Sequence, residues 1–176
     1  MNEREKWNLG VAAVREKYAT LSSPLNAQLK KFAAAIKTCK KTLHQIGAGV
    51  SAAVICAQCQ GECCKNGKNH VTAVDLLVYL NDGREIFTPC FEQAICPYLE
   101  ENSCFMEPEY RPYNCVTFIC ERIEELLASS EKERFYSVER ELRALYRNVE
   151  QLLGNTFRNG VLGIYERRQL IAQDVV

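Results

Sequence analysis

The sequence predicts a mainly α-helical fold: a small helical bundle flanking an irregular, cysteine-rich centre. Three observations predict it. Apolar residues recur three and four apart in the sections on either side, 1–49 and 117–176. Nine of the ten cysteines lie between Cys56 and Cys120. The stretch from Pro89 to Pro112 holds four prolines and little periodicity, which suits a chain shaped by ligands more than by backbone ladders. All 176 residues read as one domain, with a helical section 1–49, a cysteine-rich core 50–122 and a second helical section 117–176.

In the first section, Ser23-Pro24 is a helix start, with Ser as N-cap and Pro at the first helical position. Leu25, Leu29, Phe32, Ile36, Cys39 and Leu43 then recur as a buried stripe, and Cys39 on that stripe reads as a core residue. Lys30, Lys31, Lys37, Lys40 and Lys41 read as a solvated face, and Gly47 and Gly49 stop the helix. His44, near that helix end, is explained by favourable placement at a C-terminus.

In the middle, Thr72-x-x-Asp75 is a capping signature that opens a helix over Val74, Leu76, Leu77, Tyr79 and Leu80, closed by Asn81-Asp82-Gly83. Arg84 to Phe87 reads as a short extended piece. Arg111, fixed beside Pro112, is placed to pair with Asp75 or Glu107. Asp75 reads as a helix cap, and Tyr79, Tyr98, Tyr110 and Tyr113 as core or rim aromatics.

Further on, Phe118, Ile119, Ile123, Leu126 and Leu127 share an apolar side. Ser130-x-x-Glu133 is another capping signature before Phe135, Val138, Leu142, Leu145, Val149 and Leu152. Gly154-Asn155 and Asn159-Gly160 mark turns, and Ile164 to Val176 reads as a final helix or a docked arm.

Composition narrows the function classes. Lys plus Arg and Asp plus Glu are 22 each, and no basic run stands out, so a nucleic-acid partner has no electrostatic support. The opening Met-Asn-Glu-Arg-Glu-Lys-Trp is too polar for a secretory signal. The apolar run Val50 to Ala57 falls well short of a membrane span. A cytoplasmic location follows as the expectation. There, closely spaced cysteines more often mean metal or redox chemistry than disulfides.

The cysteine spacing then points to thiolate ligation of zinc, copper or iron, since soft sulfur suits these ions. Cys56-x2-Cys59 lets two sulfurs converge on one tetrahedral ion. Successive side chains diverge, so Cys63-Cys64 serves two metals, or one of them ligates while the other packs. A secreted disulfide scaffold fits the even cysteine count. A thioredoxin-like pair at Cys56/Cys59 fits less well, because the alternating α/β pattern around it is absent.

Cys56-Ala-Gln-Cys59-Gln-Gly-Glu-Cys63-Cys64, the segment His70 to Leu76, and Cys96-Pro97-Tyr98-Leu99 followed by Cys104, Arg111-Pro112 and Cys115 together carry a resemblance. Over roughly residues 54–122 the chain resembles the bacterial and archaeal family of zinc- or iron-chelating domains with a CxxCxxCC signature. Cys120 looks like the cysteine that closes many such patterns. The resemblance implies a metal ion as partner, with zinc or iron, or an iron–sulfur cluster, as cofactor. The leading ligand candidates are Cys59, Cys63, Cys64, Cys96, Cys104 and Cys115, with Cys56 and Cys120 next. Eight such thiols fill two four-coordinate zinc sites, or one cluster with reserve cysteines. Cys90 stands between an additional ligand and a packed thiol, and His70 reads as a hydrogen-bonding group more than a ligand.

The expected function is a cysteine-thiolate metal-binding protein whose metal orders the central loops. The alternative is an iron–sulfur-dependent redox or modifying enzyme. A further reading is an accessory module whose amphipathic end helices dock a protein partner or a second copy.

Overall fold

A computed structural model describes residues 1–59, 62–92, 96–100, 103–154 and 160–163, and of Glu62, Cys63, Glu100 and Ser103 the backbone only. The turns expected at Asn155 and Asn159 and the arm from Ile164 to Val176 lie outside the described residues. The described chain is mainly helical.

Helix α1 (Glu3–Ala19) opens on a capping box, in which the Asn2 side chain accepts from the Glu5 amide and Glu5 accepts from the Asn2 amide. It turns Trp7, Val11 and Val14 inward. Gly10 is required on that face, because a Cβ there would sit 2.4 Å from Cγ1 of Val161.

Helix α2 (Ser23–Gly49) starts one residue earlier than the sequence reading, with Ser22 at the N-cap and Pro24 inside the first turn. Its buried stripe is Leu29, Ala33, Ile36, Cys39, Lys40, Leu43 and Ile46, against which α7 (Ser129–Leu153) packs. Cys39 is a core residue, as its place on the stripe implies. Burial and the neighbouring Glu141 push its thiol up to about 11.

Helix α4 (Ala73–Asn81) is the centre of the core. Its capping box forms as the sequence implies, with Asp75 in the role usually taken by glutamate or glutamine. Every residue from Ala73 to Tyr79 is buried against α1, α2 and α7, and Gly83 (φ +68°) turns the chain out beyond the helix end.

One feature of this core runs against the sequence reading. Lys40, expected on a solvated face, is 0% exposed. Its Nζ lies 2.8 Å from Oδ1 of Asp75, which also accepts from the Tyr146 hydroxyl. The other oxygen, Oδ2, accepts from the amide and hydroxyl of Thr72, at 2.9 and 2.7 Å. A buried charge is tolerated only when paired and hydrogen-bonded, and here both conditions hold. The network joins α2, α4 and α7 at one point. Burial, then the Asp75 charge, hold the Tyr146 hydroxyl protonated.

The middle of the chain is more ordered than expected, and this corrects the picture of an irregular centre built around metal. It holds α3 (Ala52–Gln58), a 3₁₀ helix (Glu62–Asn69), α4, an antiparallel pair β1 (Leu99–Glu100) and β2 (Ser103–Cys104), a 3₁₀ turn (Pro108–Tyr110) and α5 (Tyr113–Thr117). Arg84 to Phe87 takes no strand pairing. It is fixed instead by Phe87, whose ring lies 5.2–5.5 Å from those of Trp7, Tyr79, Tyr98 and Phe105.

Arg111 pairs with neither expected carboxylate: its Nε donates to the Met106 carbonyl at 3.1 Å. Asp75 is taken by Lys40, and Glu107 by Arg84.

After α5 the chain bends at Phe118 (ψ 121°) and enters α6 (Glu121–Glu124) with Cys120 at its N-cap. The bend divides the expected apolar side: Ile123 and Leu127 are buried, while Phe118 and Leu126 are exposed. Helix α7 starts at Ser129, so Ser130 makes no cap. Phe135, Leu142, Tyr146, Val149 and Leu153 form its inner face. No helix among the described residues is long and apolar enough to cross a membrane.

Candidate functional site

The expected ligands fall into three places. Cys56 lies exposed in the last turn of α3, and Cys59, half-buried, is its C-cap. The Cys59 thiol donates to the Cys56 carbonyl at 3.3 Å. Cys120 caps α6, Cys90 lies exposed beside Glu92, and the Cys63 side chain lies outside the described residues.

Cys64, Cys96, Cys104 and Cys115 form the third place. Cys96 is buried against Gly67 of the 3₁₀ helix, and Cys104 ends β2. The Cys115 sulfur meets Nδ1 of His70 at 3.3 Å. Cys115 is an exposed residue whose sulfur rests against the His70 ring. Burial, then the charges of Cys104 and Cys96, raise its pKa well above the usual thiol value. Burial lowers that of His70. Both shifts favour thiol beside neutral imidazole.

This neighbourhood falls short of coordination. Among the described residues, no three or more His, Cys, Asp or Glu side chains are placed to hold a metal ion. That finding overturns the reading of the chain as a thiolate metal-binding protein, while the expected ligand set Cys56, Cys59, Cys63, Cys64, Cys96, Cys104, Cys115 and Cys120 includes Cys63, whose side chain lies outside the described residues. With it go the zinc, iron and iron–sulfur cofactors, the metal ion as partner, the cluster-dependent enzyme and the resemblance to the chelating family. The physical reason is local. The Cys-x2-Cys knuckle lies at the end of a helix, where the Cys59 thiol is engaged by the Cys56 carbonyl. Core packing around α4 organises the centre where the sequence suggested an ion.

The structure shows a second feature that the cysteine pattern obscured. Among the described residues, the exposed large hydrophobics are Met1, Leu9, Val54, Phe118, Leu126 and Tyr136. Four of these six gather around α6. Val54 belongs to α3, which packs on α6. Phe118 and Leu126 flank α6 in the chain. The Tyr136 hydroxyl donates to Glu124 of α6 at 2.6 Å. Helix α3 reads Ala-Ala-Val-Ile-Cys-Ala-Gln and contains no buried residue. The sequence signal for it was the apolar run 50–57, interrupted by Ser51 and too short for a membrane span.

No family model, curated protein or solved structure matches the chain.

Proposed function

We propose that this chain is a protein-association module that pairs with a second copy through α3 and the apolar flanks of α6. The observation that carries the reading is the gathering of Val54, Phe118, Leu126 and Tyr136 about one short helix, beside a helix with nothing buried. Exposed apolar side chains clustered about one element mark interaction sites.

A second copy is favoured as the occupant for two reasons. Ala52, Ala53 and Ala57 let a like helix approach closely, and an apolar face is complementary to itself across a two-fold axis. The formal net charge of zero sets up no repulsion between copies. The amphipathic end helices are not the docking elements, since α1, α2 and α7 spend their apolar faces on the chain's own core. A reducing, cytoplasmic setting and a single folded domain accord with this reading, and no disulfide joins the described cysteines.

Hydrogen exchange of the full chain at low and high protein concentration tests the proposal. Amides of α3 and α6 should slow as concentration rises while those of α4 stay constant. Exchange at α3 that is indifferent to concentration would refute it.

A further inference from the structure

His70 follows the first 3₁₀ helix: its amide donates to the Gly67 carbonyl at 2.9 Å, and two residues further on Thr72 caps α4. Val71 between them is 2% exposed, so the backbone that carries the imidazole is anchored in the core. Cys115 comes from α5, whose first residue, Tyr113, packs its ring 5.1 Å from that of Tyr146 and donates to Glu139 of α7. Two anchored elements thus bring the Cys115 sulfur to 3.3 Å from Nδ1 of His70. A thiol and an imidazole at this separation are the two parts of an activated sulfur nucleophile. Among the described residues, Cys115 is exposed together with Cys56 and Cys90. Cys56 lies in the last turn of α3, where the helix dipole disfavours negative charge on sulfur. Cys90 donates to the Glu92 carboxylate at 3.5 Å, and that charge opposes a second one beside it. The Cys115 sulfur meets an imidazole instead.

We propose that Cys115 is a modification site: with His70 as its base, the exposed thiol attacks a low-molecular-weight disulfide and carries half of it as a mixed disulfide. Burial lowers the His70 pKa, so the ring is a neutral acceptor. Burial also keeps Cys115 a thiol at rest, so the nucleophile is made only as it attacks, and the base in contact decides the rate. This inference is independent of the association surface.

The chemistry balances as one exchange. With the ring proton on Nε2, Nδ1 of His70 takes the Cys115 proton as the sulfur attacks one sulfur of the small disulfide. A new S–S bond forms to Cys115, the bond within the small disulfide breaks, and the departing thiolate takes the proton back from the imidazolium. The protein thiol is oxidised to the mixed disulfide, and the other half of the small disulfide is reduced to a thiol. Excess small thiol runs the exchange backwards, so the adduct is a reversible cap on Cys115.

The test exposes the reduced full chain to oxidised glutathione, stops the reaction at short intervals with an alkylating agent and maps the glutathione by mass spectrometry. Cys115 should carry the first glutathione, ahead of Cys56 and Cys90. His70→Gln should slow that step by about tenfold or more while the rates at Cys56 and Cys90 hold. His44→Gln, at the chain's other histidine, should leave Cys115 at its unaltered rate. Cys39, 4% exposed, reports folding in every sample, because it escapes modification only in the folded chain. First modification at any other cysteine of the unaltered chain overturns the proposal without recourse to a variant. A folded His70→Gln that reacts at Cys115 at the unaltered rate overturns it equally.

Discussion

Helices α3 and α4 are both short and both apolar, yet every residue of α4 from Ala73 to Tyr79 is buried and none of α3 is. Composition does not separate them; anchoring does. Helix α4 enters through a complete capping box, is fixed by Lys40 and Tyr146 at one carboxylate, and packs on α1, α2 and α7. Helix α3 enters through Ser51 in the left-handed region (φ 56°), without a side-chain cap, and leans on α2 and α6. An apolar helix is core when polar groups fix its ends inside the fold. Without them α3 stays at the surface, with none of its residues buried.

The contrast breaks most sharply at Asp75. Asp75→Ala leaves the Lys40 ammonium buried without its partner and should cost about 3–5 kcal/mol in denaturant unfolding. On α3, Cys56→Ala should change stability by no more than ~0.5 kcal/mol. The next largest effect is in packing. Leu77→Ala, at a side chain 0% exposed, should cost roughly 2–5 kcal/mol. Val54→Ala, 57% exposed, should behave like a surface substitution in the same unfolding experiment.

How much of this was legible follows from the same residues. The capping box at Thr72 and Asp75 and the stripe of α2 are local patterns, and the sequence displays them. Lys40 sits four residues after Ile36 and three before Leu43, on the stripe, so its position was visible. Its partners, Asp75 and Tyr146, are distant in sequence, so the reason for a buried lysine was not. Exposure of Phe118 and Leu126 depends on the bend at Phe118, which no periodicity announces. The cysteine spacing was legible and misleading, because spacing does not say which way each helix turn aims its sulfurs.

Smaller effects sharpen the comparison. Gly67→Ala forces Cys96 to shift and should cost about 1–3 kcal/mol, read from the denaturation midpoint. Ser51→Gly removes the left-handed strain at the entry to α3 and should raise stability by up to ~1 kcal/mol.

The smallest effect lies at the exit of α4. Burial opposes ionisation of Asp82, but hydrogen bonds from Lys37 and Tyr110 outweigh it and hold the carboxyl below its usual range. Its contribution is therefore complete above the unfolded aspartate value and is lost as pH falls through the lower folded value. Asp82→Asn should flatten that acid limb of the stability profile.

The central claim is that the apolar face at α3 serves association and not the fold. Mass against concentration, measured with unfolding curves on the same samples of the unaltered chain and Val54→Asp, tests it most directly. The unaltered chain should pair as concentration rises, and Val54→Asp should stay monomeric while unfolding at the same denaturant concentration. A chain that is monomeric throughout, or a Val54→Asp that pairs normally or unfolds as a core variant does, would contradict the account.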